Sequence, residues 1–113
     1  MVAKKYKCMS ILAYIVVETD PETLRKLRDI FRVLSDETRL RILQALEKRE
    51  LYVSDIAKKS KVSQPAVSHQ LRILRQMDLV REHRVGQRVY YRIADSHIFY
   101  IIKDGLDHVK EKR

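Results

Sequence analysis

Apolar positions recur at helical spacing through most of this chain and alternate with polar ones in a single stretch. Asp20-Pro21-Glu22 has the form of a helix start, with Asp as cap and Pro in the first turn, and Leu24, Leu27, Ile30, Phe31 and Leu34 follow at helical spacing. Ser35 is the expected cap of a second helix, with Asp36 and Glu37 near its positive end and Leu40, Leu43 and Leu46 inside. Glu50 to Val53 reads as a strand stub. Ser54 is the expected cap of a short helix from Asp55 to Ser60. Ser63 caps the next helix and Pro65 falls in its first turn, where a missing N–H costs nothing. That helix runs to about Gln76, burying Val67, Leu71 and Leu74 and presenting Gln64, Ser68, His69, Arg72 and Arg75 on its other face. The period then changes. Val89, Tyr91 and Ile93 alternate with Arg88, Tyr90 and Arg92 as in a half-buried strand, Leu79 to Arg84 supplies its partner, and Gly86 allows the turn. Asp95 caps a last helix whose apolar positions are Ile98, Ile101, Ile102, Leu106 and Val109.

The order helix, helix, helix, helix, hairpin, helix predicts a mostly α fold with a small β-hairpin: a winged helix-turn-helix over residues 20–113, after an N-terminal arm over 1–19. A chain of 113 residues suffices for one such domain. One cysteine, Cys8, excludes an intrachain disulfide and fits a reducing cytoplasm. The apolar run from Met9 to Val17 is too short for a membrane span, and Glu18-Thr19-Asp20 follows it where a signal peptide would need small residues.

Charge narrows the function. The chain carries 24 basic and 15 acidic side chains, and residues 57–94 alone hold nine basic groups against Asp78 and Glu82. Seven of the nine net charges therefore sit on the helix-turn-helix and its wing, which points to a polyanion. The major groove admits one helix, read by its N-terminal residues. Gln64 is suited to adenine, Ser68 to several base edges, and His69 to a base or a phosphate. Lys58, Lys61, Arg72, Arg84 and Arg88 would hold the phosphate backbone or the minor groove of double-stranded operator DNA.

His97 and His108 lie on the last helix, 11 residues apart. They return to nearly the same face but ~16 Å along the axis, so they cannot share a metal within one chain. Two antiparallel copies of the helix would bring His97 and Asp95 of one chain beside His108 and Glu111 of the other, twice by symmetry. Two imidazoles and two carboxylates suit tetrahedral zinc. Gly105, on the apolar stripe, suits a close helix pair at a helix cost of ~1 kcal/mol. Spacing alone leaves open that His97 sits at a cap and His108 in a solvated tail.

Val67-Ser68-His69-Gln70-Leu71-Arg72, Gly86-Gln87-Arg88-Val89-Tyr90-Tyr91 and the Asp95-Ser96-His97, His108, Glu111 pattern resemble the ArsR/SmtB family, closest to its zinc-sensing SmtB-type subgroup, from about Asp20 to Arg113. The resemblance implies a dimeric winged-helix repressor, paired through α-helices, that leaves its operator when metal binds. It implies Zn(II) as regulatory ion, held by Asp95, His97, His108 and Glu111 from two protomers. Tyr52 and Ser54 stand where thiolate-sensing members carry cysteine, so no thiolate site is expected there, and Cys8 reads as an ordinary free thiol. The expected protein is thus a cytoplasmic homodimeric repressor, neither membrane-bound nor an enzyme and without a small-molecule substrate. A four-ligand zinc site leaves no place for a catalytic water. Three rivals stand beside it: a winged-helix regulator of the same fold answering another signal, an architectural DNA-binding protein with no metal response, and a metal-trafficking protein with no DNA role, against which the basic wing argues.

Overall fold

The computed structural model describes residues 19–111. Residues 1–18, with Cys8, the Met9 to Val17 run and all of the expected arm but Thr19, lie outside that range. The chain divides into two compact units, residues 1–32 and 33–113, and helix α1 (Pro21–Leu34) begins in the first and ends in the second. At its start the Thr23 backbone N–H donates to Asp20 Oδ1 at 2.7 Å, and the Thr23 hydroxyl donates to Oδ2 at 3.2 Å. The backbone bond is the main reason that the Asp20 carboxyl is held below its ordinary pKa. Leu24, Leu27 and Phe31 of α1 are exposed.

The second unit carries the remaining elements: α2 (Glu37–Ala45), β1 (Leu51–Tyr52), α3 (Val53–Ser60), α4 (Gln64–Gln76), β2 (Val80–Val85), β3 (Arg88–Ile93) and α5 (Ser96–Lys110). Among the described residues, five helices and a three-stranded antiparallel sheet confirm the expected winged helix-turn-helix. Two helix starts differ from expectation. Asp36, not Ser35, caps α2, its carboxylate accepting the Arg39 N–H at 3.0 Å. An ionised acceptor at the positive helix end outcompetes a hydroxyl one residue earlier. α3 starts at Val53 straight out of β1, with extended Tyr52 before it and no side-chain cap, so Ser54 is already helical.

α2, α3 and α4 pack on one another, and α4 rests on β2. Ile42, Leu43, Ile56, Val67, Leu71, Leu74, Leu79 and Val80 are fully enclosed. Each such side chain contributes roughly 1.5–3 kcal/mol of burial energy, and together they fix the angle at which α4 leaves the body. The turn from α3 to α4 is tight because Lys61 adopts a left-handed φ of 60°, and both its N–H and that of Val62 return to the Ala57 carbonyl.

The sheet order is β1-β3-β2. β2 and β3 pair from Val80 with Ile93 to Val85 with Arg88, leaving Gly86 and Gln87 as the turn, and Gly86 has φ +62°. That is the wing. β1 adds the pairs Leu51 with Tyr91 and Tyr52 with Tyr90. Tyr90, assigned to the polar face by alternation, is therefore half-buried against the Tyr52 ring, with centroids 5.6 Å apart.

Candidate DNA-recognition surface and sensor helix

Ser63 precedes α4 as an extended cap, its hydroxyl accepting the Ala66 N–H at 3.4 Å. Burial of Val67, Leu71 and Leu74 turns the opposite face outward, so Gln64, Ser68, His69 and Arg72 are all exposed. Gln64, Ser68 and Arg72 are spaced by four and form one row. None of these four side chains is engaged by another described residue. Arg39 Nε donates to Gln70 Oε1 at 2.8 Å, which pins the inner side of α4 to α2. A row of unengaged polar groups on a fixed helix is what base reading requires.

The structure sorts the basic groups that composition only counts. Arg75 pairs with Glu82 at 2.9 Å and Arg81 with Asp78 at 3.6 Å, so the two acids of this segment neutralise two of its arginines. Arg92 turns its guanidinium toward the Ile93 and Ala94 carbonyls, at 3.4 Å each. The side chains of Lys58, Lys61, Arg72 and Arg84 are exposed and make no hydrogen bond or ion pair with other described residues. Arg88 differs from them. Its guanidinium carbon lies 4.8 Å from the Tyr52 ring centroid. Its pKa is raised, first by hydrogen bonding to the Tyr90 side chain and then by the electrostatics of Tyr52, Tyr90 and Asp55. Sequence reasoning missed the Arg88–Tyr52 contact because it crosses from the stub strand to the wing.

On α5, Asp95 caps the helix by accepting the Ile98 N–H at 3.0 Å through Oδ1. That bond, ahead of the nearby His97, lowers the Asp95 pKa. His97 Nδ1 lies 3.6 Å from the same oxygen, and its side chain is 89% exposed. At the other end His108 is exposed in the last turn, and Glu111 ends the helix with its N–H on the Asp107 and His108 carbonyls. The chain thus brings Asp95 to His97 at one end of α5 and places His108 and Glu111 at the other, but does not join one pair to the other. Among the described residues no group of three or more His, Cys, Asp or Glu side chains is placed to hold a metal ion. The donor set still fits zinc in kind: each half offers one imidazole and one carboxylate at a solvent-facing helix end. A Cβ on Gly105 would meet nothing within 4 Å among the described residues, so none of them accounts for that glycine.

Helix-turn-helix, basic wing and unengaged reading row define a winged-helix DNA-binding protein. Residues 36–82 match the model of the bacterial regulatory protein, arsR family. The transcriptional repressor SmtB homolog of Synechocystis is 43% identical over 101 residues, covering 85% of this chain and 76% of the relative. Among solved structures, the AntR antimony-specific transcriptional repressor superposes with a TM-score of 0.72 at 31% identity, over 82% of this chain and 87% of that one. A homodimeric winged helix-turn-helix DNA-binding domain from Mycobacterium bovis gives 0.69 at 28% identity, over 83% and 92%. The chain belongs to the ArsR/SmtB family of DNA-binding winged-helix transcriptional repressors, and it is not an enzyme. Among the described residues no helix is long and apolar enough to cross a membrane.

Proposed function

We propose that this protein is a cytoplasmic repressor that binds operator DNA as a homodimer and leaves it when Zn(II) is held between paired α5 helices. The observation that carries the reading is the division of the donor set. Asp95 and His97 stand together at one end of α5, His108 and Glu111 at the other, and a single chain does not join them. In the dimer, Asp95 and His97 of one protomer would meet His108 of the partner subunit and Glu111 of the partner subunit. Exposed Tyr100 and Val109, and a glycine that no described residue crowds, support burial of α5 against a second copy. Bound there, zinc would supply a rigid cross-link between protomers. The chain's own part is to make that cross-link incompatible with the spacing of the two α4 helices on DNA.

Gln64, Ser68 and His69 read bases, while Lys58, Lys61, Arg72, Arg84 and Arg88 hold the backbone. Zinc loosens the complex only through a difference in its affinity for the two dimer conformations. Swinging occupancy from 99:1 to 1:99 needs ~5.5 kcal/mol, a demand that two symmetry-related sites share. The test is a titration of the full-length protein on a duplex selected by that protein from a random-sequence pool, with and without Zn(II), followed by a chelator. Zinc is expected to raise the dissociation constant of the selected duplex at least tenfold, with recovery on chelation. An unchanged affinity at saturating zinc would overturn the zinc reading and leave a regulator of another signal. Equal affinity for selected and scrambled duplexes would favour an architectural protein.

A further inference from the structure

Two residues apart on β3, Arg88 and Tyr90 project from the same face of the strand, and Tyr52 of β1 stands directly opposite Tyr90. The Tyr52 and Tyr90 rings meet edge to face at 70°, and the Arg88 guanidinium lies over the Tyr52 ring. Arg88 itself pairs with Val85 at the last rung before the wing's turn. Tyr52 immediately precedes α3, the first helix of the helix-turn-helix, and acidic Asp55 in the first turn of α3 adds its field at Arg88. One arginine of the wing is thus seated on the body that carries α4, while Arg84 has no such seat. We infer that Tyr52 is a positioning residue for DNA binding: its ring face holds Arg88 where the wing meets a phosphate.

The chemistry permits both contacts at once. A guanidinium stacks through its flat face and donates hydrogen bonds through its edge, so a ring beneath it leaves donors for a phosphate. An arginine already seated loses less rotamer freedom on binding than a solvated one. The seat also fixes the wing relative to α4, because ring and recognition helix belong to the same packed body. Tyrosine here occupies a position in the short segment Leu51 to Asp55 that charge counting and motif reading leave without a role.

This inference rests on the reading of Arg88 as a DNA contact, and the experiment separates the two. Full-length wild type, Arg88→Ala, Tyr52→Phe, Tyr52→Leu and the Tyr52→Leu/Arg88→Ala double variant are titrated by fluorescence anisotropy over a salt series. The probes are a duplex selected from a random pool and a scrambled duplex of equal length. Arg88→Ala is expected to weaken both duplexes and to flatten the salt dependence by about one phosphate contact. Tyr52→Phe, which keeps the ring face, stays within about twofold of wild type. Tyr52→Leu weakens both duplexes about two- to fivefold but adds nothing in the Arg88→Ala background. If Arg88→Ala binds like wild type, the DNA reading of Arg88 fails and the inference with it. If Arg88→Ala weakens binding but Tyr52→Leu does not, or does so equally in both backgrounds, the inference alone fails. A measurement on the unmutated protein guards against a Tyr52→Leu chain that folds poorly. The Arg88 side-chain protons are expected to show upfield ring-current shifts by NMR, free and DNA-bound. Random-coil shifts in either state would overturn the seat.

Discussion

Gln64 and Gly105 are exposed helical residues whose packing inside the chain explains nothing about them. For Gln64 the proposed explanation is a base edge in the major groove. It sits at the N-terminal end of α4, one turn before Ser68, with no described residue engaging its amide. An amide that pairs with a base edge is worth ~1–3 kcal/mol of discrimination. Gln64→Ala is therefore expected to narrow the gap between selected and scrambled duplexes roughly tenfold or more while leaving scrambled-duplex affinity nearly unchanged. Equal losses on the two duplexes in anisotropy titrations would place base reading elsewhere. For Gly105 the proposed explanation is a second helix. Glycine inside a helix costs ~1 kcal/mol relative to alanine, and a Cβ there has open space around it in the monomer. Gly105→Ala should raise the intrinsic helix stability yet increase the dimer dissociation constant several-fold in sedimentation experiments. A variant that is more stable and dimerises as before would show that no helix packs at this residue.

At the scale of elements, local electrostatics decided where helices begin. Asp36 and not Ser35 closes the first turn of α2, through the Arg39 N–H. Asp36→Ala is expected to cost about 1 kcal/mol in chemical denaturation. An unchanged unfolding midpoint would show that the Asp36 carboxylate does not hold the helix start. Most of the architecture was readable in advance because it rests on local signals: apolar spacing for α4, a cap and a proline at its start, alternation and Gly86 for the wing. What was not readable depends on residues far apart in the chain. β1 captures Tyr90 from the polar face of β3 because Tyr52, 38 positions earlier in the sequence, pairs with it. The neutralisation of Arg75 by Glu82 needs the α4–β2 corner to be folded before the two meet. The exposed polar row proposed to read bases was legible residue by residue, since it follows from which face of α4 is apolar. The placement of Asp95 with His97 and of His108 with Glu111 at opposite ends of α5 was legible from their spacing, whereas the proposed joining of the two pairs depends on a second chain that no single sequence pattern displays.

At the scale of the whole molecule, the decisive property of the proposed sensor is that each zinc site draws its two halves from different chains. Replacing His97 removes one half of a site and replacing His108 removes the other. A homodimer of either Ala variant should bind no zinc tightly, whereas the wild-type dimer is expected to bind two ions. Mixed dimers separate this from every arrangement within one chain. In a dimer of one His97→Ala chain and one His108→Ala chain, one site loses both histidines and the other keeps both. Such a heterodimer, isolated with two different affinity tags, is expected to bind one zinc ion at near wild-type affinity and to recover part of the zinc-dependent release from the selected duplex. Cobalt bound in its place should give a tetrahedral absorption spectrum without thiolate charge transfer, since the donors are imidazole and carboxylate. Full loss of zinc binding in the heterodimer would place both histidines in one chain's site or in none. Two ions bound by the heterodimer, or a sulfur band in the cobalt spectrum, would show that ligands outside Asp95, His97, His108 and Glu111 hold the metal.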